Sequence, residues 1–100
     1  MLRITILDGD EATRLTLEGR LAGPWAEELR RSFDEWVLLQ SDKKLIVDVT
    51  DLTYADAAGK QVLNKIYAET NADFVTSSPW NQYLATEVMN TDIDRKSREA

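Results

Sequence analysis

Residues 44–66, KLIVDVTDLTYADAAGKQVLNKI, place an apolar run, a short acidic segment and an amphipathic helix pattern in direct succession. Leu45-Ile46-Val47 is apolar without alternation, which predicts a central strand buried on both faces. From Asp56 onward Val62, Leu63, Ile66 and Tyr67 fall on one side at helical spacing, with Lys60, Gln61, Asn64, Lys65 and Glu69 on the other. A buried strand that feeds a helix this quickly requires a layered α/β arrangement, in which the helix packs back on the sheet. The junction itself reads Asp56-Ala57-Ala58-Gly59. Helices begin with unpaired backbone N–H groups and a partial positive charge, so a side chain here is well placed to meet an anion or a partner.

The flanking segments fit the same architecture. Leu2, Ile4 and Ile6 alternate with Arg3 and Thr5, and beyond the turn signal Asp8-Gly9-Asp10 the residues Leu15 and Leu17 alternate with Arg14, Thr16 and Glu18. That pattern predicts an N-terminal hairpin with one buried face. Gly23-Pro24 opens a helix, proline standing where its missing N–H costs nothing. Trp25, Leu29, Phe33 and Trp36 share its inner face, and Glu27, Arg30, Arg31, Asp34 and Glu35 provide pairs outside. Ser41-Asp42-Lys43 forms a loop, Asn71 ends the second helix, and Asp73-Phe74-Val75-Thr76 forms a short fourth strand. Ser78-Pro79 starts a last helix with the inner stripe Trp80, Leu84 and Val88, widened by Tyr83. The expected order is ββαβαβα, a mixed sheet of about four strands. Residues 1–89 form one domain, and residues 90–100, which lack an apolar stripe, form a polar, flexible tail.

Composition narrows the chemistry. The chain has no cysteine and no histidine, which removes disulfides, thiolate nucleophiles, the usual general base and the commonest metal ligands. A net charge of −6 argues against nucleic acid, whose phosphates demand excess Lys and Arg. No apolar run approaches the ~20 residues that span a bilayer, and the strand-like N-terminus has no signal-peptide core, so no membrane insertion and a cytoplasmic location are expected. Asp48, Asp51 and Asp56 offer the hard oxygens a divalent cation prefers. The adjacent acidic pair of receiver domains is missing after the first strand, however, so Asp48 is read as facing out at the strand end and Asp51 as a turn residue. Neither metal, cofactor nor catalysis is expected. Asp56 is read as a helix cap, and the Thr53 hydroxyl as satisfying a turn N–H.

The element order, the strand end Leu17-Glu18-Gly19-Arg20-Leu21, and above all Leu45-Ile46-Val47-Asp48-Val49 through Tyr54-Ala55-Asp56-Ala57-Ala58-Gly59 resemble the STAS domain, the fold of bacterial anti-sigma factor antagonists. The resemblance covers roughly residues 2–89. In that family the loop before the second helix usually reads Asp-Ser-Ser-Gly or Asp-Ser-Thr-Gly, and its first hydroxyl is phosphorylated by a serine kinase that is also the anti-sigma factor. The unphosphorylated antagonist binds the kinase, and phosphorylation breaks the complex. This chain keeps Asp56 and Gly59 but carries Ala57 at the acceptor position. The resemblance therefore implies a protein-binding regulator of transcription, contacting its partner through Thr53, Asp56, Ala57, Ala58, Gly59 and Gln61 and lacking the switch at Ala57. It implies equally an accessory subunit of an ABC-type transporter, with the transporter ATPase as partner. Either way, Ala-Ala-Gly at a helix start has a second explanation, that the helix packs tightly on the sheet.

Overall fold

The computed structural model describes residues 1–39 and 43–89 in full, while the first and last helices extend as backbone to Gln40 and Glu99. The expected loop at positions 41 and 42 lies outside the described residues, as do the side chains of the expected tail over residues 90–100, whose backbone continues the last helix to Glu99. Seven elements follow in order: β1 (Leu2–Asp8), β2 (Ala12–Leu21), α1 (Pro24–Gln40), β3 (Lys44–Ala55), α2 (Ala57–Thr70), β4 (Asp73–Val75) and α3 (Pro79–Glu99). The sheet order is β1-β2-β3-β4; β1 and β2 are antiparallel, whereas β2, β3 and β4 are parallel. This is the single-domain α/β fold with a mixed four-stranded sheet expected from the periodicities.

Consecutive parallel crossovers in one direction put α1 and α2 on the same face of the sheet, and α3 packs beside α2. One core lies between sheet and helices, built on Leu15, Leu17, Leu21, Val47, Val49, Leu29, Phe33, Leu63, Ile66, Leu84 and Val88. At its centre Leu17, Leu29, Leu63 and Ile66 are fully buried. All three crossover strands deliver their carboxyl ends to one rim of the molecule. There α1, α2 and α3 begin, and the candidate site is assembled.

Local chemistry explains the element ends. Gly9 N–H donates to the Ala12 carbonyl oxygen and closes the hairpin. Asn71 takes the left-handed conformation (φ 54°, ψ 39°) and its N–H returns to the Tyr67 carbonyl, a C-cap that asparagine tolerates better than most residues. At the start of α3 the Ser78 hydroxyl accepts the Asn81 N–H at 3.2 Å.

Four expectations are corrected. The third strand does not stop at Val49 but runs to Ala55, because β2 supplies a parallel partner as far as Leu21; Asp51, Thr53 and Tyr54 are strand residues, and Thr53 Oγ1 donates to the Gly19 carbonyl at 2.9 Å instead of accepting a turn N–H. The face of β3 that carries Ile46, Asp48 and Thr50 is only partly covered, Ile46 and Thr50 being half-buried. Asp48 lies mid-strand on that face and is only 8% exposed. Thr16 and Val75 flank it in register, and Arg14 Nη2 reaches its Oδ2 at 2.6 Å. The inner stripe of α3 is Asn81, Leu84, Ala85 and Val88, whereas Trp80 and Tyr83 are exposed. Asn64, expected outside, is buried, and its Nδ2 donates to the Val88 carbonyl at 2.7 Å.

Candidate functional site at the start of the second helix

The site is a corner where the carboxyl ends of β2 and β3 meet the amino ends of α1 and α2. Asp56 organises it. With extended backbone (φ −83°, ψ −177°) it is the N-cap of α2, and its Oδ1 accepts the Gly59 N–H at 2.8 Å. The other carboxylate oxygen accepts the Gly23 N–H at 2.9 Å, one residue before α1 begins. A single carboxylate thereby serves the amino ends of two helices. Gly23 sits at φ +59°, a conformation open to glycine and costly for a residue with a Cβ. The Asp56 N–H adds a third tie, donating to the Leu21 carbonyl at 3.0 Å.

The three small residues that follow have different jobs. Gly59 is buried, and a Cβ there would lie 2.6 Å from the Leu21 carbonyl oxygen and 2.7 Å from Leu21 Cγ. Its size is dictated by close packing of α2 on the end of β2. Ala57 and Ala58 are exposed, as is Gln61 one turn later. Packing therefore accounts for the glycine and leaves the alanines free. The corner is flanked on one side by a shallow groove between α1 and α2, lined by Gly23, Ala26, Glu27, Arg30, Ala58 and Gln61. In that groove Arg30 is already engaged by Glu27 and by Asp34 at 2.7 Å. On the other side lie Tyr54, with Arg20 stacked over its ring at 4.4 Å, and Lys60, which pairs with Glu87 at 2.9 Å.

All the residues singled out in the sequence, Thr53, Asp56, Ala57, Ala58, Gly59 and Gln61, fall within or beside this corner. Asp48 and Asp51 do not join Asp56 as a cation cage. Asp48 is committed to Arg14 and to the Thr50 N–H, Asp56 to two backbone amides, and among the described residues no three acidic side chains are grouped to hold a metal ion. Sequence reasoning missed the second bond of Asp56, because the Gly23 amide it meets is remote along the chain. It also missed the exposed ring of Tyr83.

Both aspartates titrate low. The Gly23 N–H and then the Gly59 N–H hold the Asp56 carboxyl below the usual aspartate range. Burial pushes Asp48 up, but hydrogen bonds from the Thr50 N–H and hydroxyl and from Arg14 outweigh it and leave the net shift downward. A carboxyl whose folded value is depressed contributes stability above its unfolded value, about 3.9, and that contribution is lost as pH falls through the folded value. Thermal stability is therefore expected to hold from neutral pH down to about pH 5 and to drop below about pH 4. Asp56→Ala should be less stable at neutral pH and show a shallower acid drop in a pH series of melting curves. An unchanged acid slope would show that this carboxylate is not among those responsible.

The STAS domain family model matches residues 3–77, three quarters of the chain. The chain belongs to the STAS domain family. Solved STAS structures agree with the fold. An anti-sigma factor antagonist from Mycobacterium paratuberculosis superposes with a TM-score of 0.73 at 17% identity, covering 96% of this chain and 82% of its own. The anti-sigma factor antagonist SpoIIAA in its unphosphorylated form gives 0.64 at 15% identity, over 82% and 80% of the two chains. The STAS domain of an antisigma-factor antagonist from Rhodobacter sphaeroides gives 0.59 at 16%, over 75% and 84%. No curated protein matches this STAS chain significantly in sequence. No helix among its described residues is long and apolar enough to cross a membrane.

Proposed function

We propose that this STAS domain is a protein-binding regulatory module, an anti-sigma factor antagonist that docks a kinase-type anti-sigma factor through residues 53–59 and the exposed flank of α2 near Gln61. It acts without catalysis of its own, in the cytoplasm, and it is not phosphorylated at Ala57. The observation that carries this reading is the corner itself: two exposed methyl side chains at a helix start whose geometry is fixed from below by Asp56 and Gly59. Small exposed residues on a rigid base allow a partner backbone to approach closely, and little ordering entropy is lost on binding.

The chemistry of phosphoryl transfer supplies the regulatory half of the proposal. Transfer needs a hydroxyl oxygen in line with the γ-phosphate, and a methyl group provides none. A phosphate at this position would add nearly two negative charges beside Asp56. Ala57 keeps that surface permanently in its unphosphorylated form.

Titration calorimetry against kinase-type anti-sigma factors of the same genome, with ATP present, tests the proposal. The unaltered chain should bind one of them and take up no phosphate, and Ala57→Ser should stay folded and acquire phosphate if that partner is catalytically competent. Ala57→Glu places charge and bulk in the contact and is expected to weaken binding by about tenfold or more. Its fold should survive, since an acidic side chain in the first helical turn complements the dipole. If Ala57→Glu binds every such partner as tightly as the unaltered chain, the corner is not the interface.

A further inference from the structure

The two edges of the sheet are unequal. β4 is three residues long, whereas β1 runs for seven, pairs with β2 without a break in register, and contains neither proline nor lysine. Proteins protect an edge from pairing by short length, bulges, proline and charge, and of these β1 has only Arg3 and Asp8 near its two ends. Its outer N–H and C=O groups have no partner strand among the described residues. Its second half is also apolar and in contact with water: Ile6 is 40% exposed and Leu7 60%. Beside this edge a groove of about 190 Å³ opens between β1 and the last turns of α1, lined by Ile6, Asp8, Ser32, Glu35, Trp36 and Leu39. Small-molecule pockets begin at about 300 Å³, so this groove has the size for a side chain.

Two carboxylates give the groove its sign. Asp8 on β1 and Glu35 on α1 both line it, and neither is paired with a cation among the described residues. Asp8 is held from below: the fully buried Thr13 hydroxyl donates to its Oδ1 at 2.9 Å, and Thr13 Oγ1 accepts the Trp36 indole N–H at 3.0 Å. That leaves Oδ2 for an incoming donor. Asp10 and Glu11 follow, exposed, in the adjoining turn, so four carboxylates at this end of the hairpin face one cation, Lys43, whose ammonium donates to the Gly9 carbonyl at 3.0 Å. Arg14, opposite Leu7 in the ladder, is committed to Asp48 on the other face of the sheet. The excess of negative charge is therefore local to the groove.

We propose that β1 and this groove form a second docking surface, for an extended segment of another protein that adds to the sheet as an outer strand and lodges a Lys or Arg side chain between Asp8 and Glu35. Main-chain bonds to β1 hold the segment, and the groove selects it. The aliphatic stem of the cation lies along Ile6 and Leu39 while its head meets the two carboxylates. A second copy of this chain does not supply that cation. In any two-fold pairing of β1 with itself, residues an even number of positions apart face each other, so Arg3, the strand's one cation, stands on the opposite face of the sheet from Asp8. The groove lies about 24 Å along α1 from Gly23, counted at 1.5 Å per residue, so it can be filled independently of the corner at Ala57.

The test is an NMR titration of the full chain with the capped heptapeptide Thr-Val-Thr-Lys-Thr-Val-Thr, and with the same peptide carrying glutamate or norleucine in place of lysine. The lysine peptide should give saturable shifts of the β1 amides, slow their hydrogen exchange, and bind about tenfold or more tightly than the glutamate peptide. Glu35→Lys should reverse that preference at unchanged Tm, since Glu35 is exposed. Asp8→Asn keeps an oxygen for the Thr13 hydroxyl, and it should weaken the lysine peptide while leaving the norleucine peptide as it was. Ala57→Glu should bind all three as the unaltered chain does, so the result stands whether or not the corner is an interface. If the norleucine or glutamate peptide binds as tightly as the lysine peptide, the carboxylates do not select and the proposal falls. Shifts that map away from β1 and the end of α1, or no saturable shift at millimolar peptide, would also overturn it. A concentration-dependent dimer in sedimentation, abolished by Ile6→Lys, would overturn it in favour of a second copy.

Discussion

Gly59→Ala is expected to destabilise this domain by about 1–3 kcal/mol, the usual cost of forcing an extra methyl into a packed interior. The sign runs against intuition. In an ordinary helix, replacing glycine by alanine gains about 0.5–1 kcal/mol, because alanine loses less backbone entropy on folding. Here the new Cβ would stand 2.6 Å from the Leu21 carbonyl oxygen and 2.7 Å from Leu21 Cγ. Leu21 cannot yield cheaply: its side chain is fully buried, and its carbonyl already accepts the Asp56 N–H at 3.0 Å. Relief requires α2 to lift from the end of β2, which would also stretch the Asp56 cap. Melting curves should show a fall of about 4–8 °C for each kcal/mol lost in a domain of this size. A variant as stable as the parent would mean that α2 can shift at no cost and that the base of the corner is not rigid.

The second large effect is expected far from the corner. Thr13 is fully buried; its Oγ1 accepts the Trp36 indole N–H at 3.0 Å and donates to Asp8 Oδ1 at 2.9 Å. This chain of bonds ties α1 to β2 and to the end of β1. Thr13→Val preserves shape but removes the oxygen, leaving the indole N–H of a residue that is only 6% exposed without its acceptor. The penalty for an unsatisfied buried donor is about 1–3 kcal/mol, measurable by denaturant unfolding. Combining Thr13→Val with Trp36→Phe removes both partners, and the double variant should cost less than the sum of the single changes. Strict additivity would show that the bond contributes nothing specific.

Where the pattern in the chain was local, it could be read directly. The hairpin turn at Gly9, the proline at the start of α1, the Asn71 C-cap and the Ser78 cap all depend on neighbours within four residues. The carboxyl half of β3 did not follow a local rule. Its buried residues Val49, Leu52 and Ala55 recur every three positions, which is neither the period of a strand nor that of a helix. The cause lies in the partner: the β2–β3 ladder shifts register between Thr16 and Glu18 and again between Gly19 and Arg20, and each irregularity re-aims the side chains that follow. Asn64 and Asn81 were illegible for a similar reason. A buried amide is tolerable only where remote partners satisfy it, and these partners are the Val88 carbonyl for one and the Ser77 N–H with the Leu52 carbonyl for the other. At the corner, the capping role of Asp56 was visible from its place before the helix. The division of labour between Gly59 and the two alanines was not, since it depends on how closely Leu21 approaches.

The carboxylate of Asp56 joins two connections that are separate in sequence, β2 to α1 and β3 to α2. Two surface loops would ordinarily fluctuate as independent units. Sharing one carboxylate couples them: rotation of that side chain breaks both bonds at once, while the Asp56 N–H on the Leu21 carbonyl still holds the two connections together. A load applied at Ala57 is therefore also felt at Gly23, and the entry to α1 moves with the entry to α2.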